Sequence, residues 1–110
     1  MIQDTIGKIE ERIRQADAIK GESKAELLNL LGALKSEVAG LSETHADEAR
    51  SIAGFTAVSA HEAMRGSKNQ ELTDLSLKGL SSSVQGFEDS HPKLVQLVNT
   101  ICTTLSNLGI

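Results

Sequence analysis

The side chains of this chain from which a reaction could be built are three histidines, one cysteine and scattered serines. His45, His61 and His91 are the metal-competent nitrogens, and Glu88-Asp89-Ser90-His91 spells the Glu-x-x-His unit that di-iron bundles turn inward. Such a centre needs two of these units and two further inward glutamates, and no second Glu-x-x-His occurs. His45 and His61 stand 16 residues apart, about 24 Å along one helix at ~1.5 Å per residue, so they cannot share a metal within one chain. His91 reads instead as part of a helix start, its ring covering the first turn. No metal ligand is therefore assigned.

The nucleophiles fare no better. Cys102 falls on the apolar arc of a helical pattern with no base near it in sequence, the setting of an inert packing thiol. Ser90-His91-Pro92-Lys93 spells Ser-x-x-Lys without the partner motifs of the penicillin-recognising enzymes, and Ser81-Ser82-Ser83 reads as a short polar face. The nine glycines are placed singly, so no phosphate-cradling loop is present. No nucleophile, base and orienting group can be assembled at a workable spacing. The expectation is a non-enzymatic protein with no catalytic residue and no cofactor.

Composition narrows the partners. Lys and Arg total 11 against 15 Asp and Glu, a formal charge of -4, and no basic run occurs. Neither a nucleic acid nor an anionic membrane surface is an expected partner, because both are held by basic faces. A lone cysteine, no signal-like start and no apolar stretch long enough to span a bilayer predict a soluble, cytoplasmic protein. With 2% aromatic residues among 110, the chain lacks the large side chains that usually line a ligand pocket.

What the chain has in abundance is helical spacing. Ile2, Ile6, Ile9, Ile13 and Ala16 form a first stripe closed by Gly21, and Ser23-Lys24-Ala25-Glu26 is a capping-box pattern that predicts a second helix there. Leu27, Leu31, Leu34, Val38 and Leu41 form its stripe, and the short link predicts an antiparallel hairpin over 1–43. An Ala-rich helix follows over 44–68, carrying Ala49, Ala53, Ala57, Ala60 and Ala63, either set off by Thr44 and Asp47 as a cap, the favoured reading, or continuous with the second helix, and Gly66, Ser67 and Asn69 form the next turn. Over 69–110 the positions Leu77, Leu80, Val84, Phe87, His91, Leu94, Val98, Ile101, Leu105 and Leu108 recur in steps of three and four, a heptad stripe. It predicts one long helix, kinked or restarted at 90–92, with Gly79, Ser83 and Gly86 letting the Ala-rich helix approach closely.

The predicted fold is thus all-α: a single domain over 1–110, antiparallel helical hairpins forming an elongated coiled-coil-like bundle. Beyond Pro92 the apolar positions cover well over half the helix circumference, more than one neighbour would bury. Another copy is the expected cover, making the chain a homo-oligomer, a dimer by preference, through Leu94, Val98, Ile101, Leu105 and Leu108.

The segments Phe87-Glu88-Asp89-Ser90-His91-Pro92-Lys93-Leu94, Val98-Asn99-Thr100-Ile101 and Leu105-Ser106-Asn107-Leu108-Gly109-Ile110 resemble a small bacterial family known as domain of unknown function four-four-zero-four. The hairpin around Ala25-Glu26-Leu27-Leu28 is similar to that family's front half, and the stretch from His45 to Lys68 looks like an insertion. The resemblance implies a bacterial all-helical protein and carries no activity with it. The functional expectation is an oligomerisation or protein-interaction module, a scaffold or adaptor. The alternative is a bundle that binds a metal or small apolar ligand between its helices.

Overall fold

The computed structural model describes residues 2–17, 19 and 21–108; the side chains of Ile2 and Gln3, and Gly109 and Ile110, lie outside the described set. Five helices and no strand make up the described residues: α1 (Ile2–Gln15), α2 (Gly21–Leu41), α3 (Ala46–Ala63), α4 (Gln70–Ser83) and α5 (Pro92–Leu108). The all-α expectation holds.

The stripes read from the sequence face the interior. Ile6, Ile9 and Ile13 of α1 are buried, as are all five stripe residues of α2. Contacts between the two run in opposite chain order: Lys24 Nζ donates to the Arg14 carbonyl at 3.0 Å, and Lys35 Nζ to Glu10 Oε1 at 2.6 Å. That second pair matters because Glu10 is only 5% exposed, and a carboxylate so enclosed needs a partner. α2 also packs on α5 and α3, while α3 packs on α1, α4 and α5.

Helix ends differ from the expectations in detail. Gly21 does not close α1, which stops at Gln15; at φ +58° it opens α2, so Ser23 lies exposed inside the first turn rather than ahead of it. Ile19, in the link, is buried and joins the core. The α3 cap is His45, which makes no side-chain capping bond; Thr44 Oγ1 lies 2.8 Å from His45 Nδ1 instead. Asn69 caps α4, its Oδ1 accepting from the Leu72 amide at 3.1 Å.

The predicted long C-terminal helix is two helices. Residues 84–91 form a non-helical connection in which Gly86 takes φ +95° and its amide donates to Glu88 Oε2 at 2.8 Å. Pro92 then begins α5, the position where its missing amide costs nothing. The heptad pattern runs through the break because Val84 and Phe87 also turn inward from the connection. With α5 folded back, the molecule measures 37 × 25 × 22 Å with a radius of gyration of 12.9 Å. That is the size of a compact globule of this length, not of an elongated coiled-coil-like bundle.

Candidate functional site

The predicted interface residues lie inside the chain's own core. Leu94, Val98, Ile101 and Leu105 are at most 1% exposed, and Leu108 is half-buried against the same cluster. The broad apolar arc of α5 is covered by α2, α3 and α4 together, so one chain supplies the neighbours that the sequence reading sought in another copy.

The apolar surface lies elsewhere. Phe55 and Val58 on α3 and Leu72 and Leu75 on α4 are 40%, 49%, 42% and 57% exposed, the large hydrophobic side chains that the described residues leave in solvent. They are neighbours, and with Glu62 and Ser76 they line one shallow hollow of ≈ 230 Å³ along the α3–α4 seam. The seam itself is made of small residues. Ala63 of α3 is buried, and the hydroxyls of Thr56, Thr73 and Ser76 are buried and bond carbonyls of their own helices. Ser59 Oγ, also buried, has no hydrogen-bond partner among the described residues. Phe55, Val58, Leu72 and Leu75 stand at the rim of this seam, while Ile52 and Leu80 of the same two helices are buried in the core.

Phe55 is held there by a missing side chain. A Cβ built on Gly79 would overlap the Phe55 ring, so the ring sits directly against the α4 backbone at Gly79. The sequence predicts a close approach of the two helix backbones here, and what meets Gly79 is the Phe55 side chain. Gly86, grouped with it in the sequence reading, stands outside the helix with nothing within 4 Å of a built Cβ, and Ser83 Oγ bonds the Leu80 carbonyl at 2.6 Å.

The histidines are arranged in a way sequence spacing does not disclose. His45, at the start of α3, and His91, just before α5, both stand edge-on to Phe87 at 5.4 Å, and their own rings are 6.2 Å apart. Ser90 Oγ lies 2.9 Å from His91 Nδ1. The cluster ties two helix starts together through an aromatic contact, and the Glu-x-x-His unit lies in the connection rather than on a helix. His61 is at the far end of α3, 3.4 Å from Arg12 Nη2. Among the described residues no group of three or more His, Cys, Asp or Glu is placed to hold a metal ion. Cys102 is half-buried with its Sγ 3.8 Å from the Leu77 carbonyl, and burial pushes its thiol pKa up, which keeps it protonated at neutral pH.

Other hollows open between helices. One, of ≈ 690 Å³, is an open groove between α1 and α2 whose lining includes Asp4, Lys8, Glu11 and Lys35. Another, of ≈ 350 Å³, is lined by Ile9, Ala57, Ala60 and Met64 together with Lys8 and Arg12. No helix of the described residues is long and apolar enough to cross a membrane.

The model of a family described as Domain of unknown function (DUF4404) matches residues 57–110, from the middle of α3 through α4 and α5. The match includes Val58, Leu72 and Leu75 and leaves out Phe55 and the first two helices. No curated protein and no solved structure matches the chain.

Proposed function

With residues 57–110 matched by the model of a family whose description assigns no activity, we propose that the protein acts through a surface. It is a helical self-association module in which the α3–α4 face of one copy docks on that of another. The observation that carries this reading is the adjacency of Phe55, Val58, Leu72 and Leu75 around one hollow, where the other large apolar side chains among the described residues are buried or half-buried. Single exposed hydrophobics are ordinary on a surface, whereas a contiguous group with a polar rim marks a contact face. Removing such a group from water contributes about 25 cal/mol per Å² of apolar area, a gain open to this chain only by association.

Leu75 is the most exposed of the four, so a charge there disturbs the contact and not the fold. Light scattering at micromolar concentrations should give the mass of two chains for the wild type. Leu75→Asp should give the mass of one, with an unchanged helical circular-dichroism spectrum. A wild type that is monomeric throughout that range, or a Leu75→Asp variant that stays associated, overturns the reading.

A further inference from the structure

We infer that the two copies pair about a two-fold axis beside Leu75, with α4 antiparallel to the partner's α4 and Glu71 of each copy against Lys78 of the partner subunit. The inference rests on the docking face proposed above and adds its register and symmetry. Glu71, Leu75, Lys78 and Ser82 follow one another at steps of four, three and four, so they form one stripe along α4. All four are exposed. Glu71 and Lys78 are seven residues apart, about 10 Å along the axis at ~1.5 Å per residue.

Neither charge is used among the described residues. Elsewhere Lys35 is paired with Glu10, Arg14 with Glu11, Arg50 with Asp47 and Arg65 with Glu62. Among the described residues Glu71 and Lys78 make no ion pair or hydrogen bond, and the neighbouring carboxylate of Asp74 accepts from Gln70 Nε2 at 2.8 Å. An interface between identical surfaces must complement itself under a half-turn. A stripe reading acid, leucine, base does so in one sense only. Turned antiparallel, it sets acid against base on both sides of the axis and leucine near leucine; laid parallel in register, it sets like charge against like. The antiparallel pairing also leaves Phe55, Val58 and Leu72 beside the axis, available to enlarge the apolar contact.

The test is a charge exchange read by sedimentation equilibrium at low salt, using the full chain. Glu71→Lys turns both symmetric contacts into repulsions, and so does Lys78→Glu. Each variant should dimerise about tenfold more weakly than wild type, since two exposed pairs of modest strength change sign together. An equimolar mixture of the two variants should regain wild-type affinity as a heterodimer, because each acidic position then faces a basic one. The double variant Glu71→Lys/Lys78→Glu should regain it alone, and about 0.5 M NaCl should shrink all these differences. Single variants that dimerise like wild type, or a mixture that fails to recover, overturn the register. If Leu75→Asp still dissociates in that case, the docking face stands without it. A monomeric wild type, or a dimer indifferent to Leu75→Asp, overturns the face itself and the register with it.

Discussion

Gly79 lacks the one atom that would collide with the Phe55 ring, and Phe55 is itself 40% exposed. Two opposed effects therefore meet in Gly79→Ala. Alanine is the better helix former by somewhat under 1 kcal/mol, but the added methyl drives the ring off the α4 backbone, and the burial lost by a large aromatic is worth about 1.5–3 kcal/mol when complete. The net expectation is destabilisation of about 1 kcal/mol in urea denaturation. In a Phe55→Ala background the same substitution should stabilise by roughly the helix-propensity difference, because the clash is gone. An unchanged sign in the two backgrounds would refute the contact. The close approach was legible in the sequence as small residues facing an Ala-rich helix. Its agent was not: nothing in the spacing of Phe55 shows that its ring stays at the rim, because that depends on where α4 lies across the seam.

At the scale of elements, what was legible divides by the kind of signal. α2 shows five stripe residues in the sequence and buries the same five, because amphipathic periodicity reports the inward face directly. The periodicity of 77–108 reports inwardness equally well and says nothing of continuity, so Val84 and Phe87 concealed a break. The local signal for that break was Gly86. At φ +95° with open space around its Cβ position, it is needed for its backbone conformation alone. Gly86→Ala should therefore lower stability by about 1–2 kcal/mol, the cost of holding an L-residue in the left-handed region. Gly86→Asn should cost less, since asparagine tolerates that region better. Equal losses for both variants in thermal denaturation would point to lost space rather than to φ. The His45, Phe87 and His91 cluster was out of reach for a related reason: it joins the start of α3 to the connection after α4, residues far apart along the chain.

At the scale of the molecule, the surplus of apolar positions on α5 needs more than one neighbour, and this chain supplies them itself. Five helices folded into 37 × 25 × 22 Å provide α2, α3 and α4 as cover, and Val98 ends fully buried. Val98→Asp should accordingly unfold the chain, losing at least about 3 kcal/mol for an unpaired buried charge. The comparison with Leu75→Asp is decisive: the Val98 variant should lose its helical spectrum at concentrations where the Leu75 variant keeps it, and a folded, merely dissociated Val98→Asp protein would restore α5 as an interface. The boundary of the family match has its own consequence. It falls between Thr56 and Ala57, in mid-helix, and excludes α2, whose Leu27, Leu31, Leu34, Val38 and Leu41 belong to the same core cluster as the buried face of α5. The stretch of chain that the family model matches is thus not the stretch that closes a core, and an expression fragment cut at that boundary would sever α3 and strip α5 of its largest apolar support.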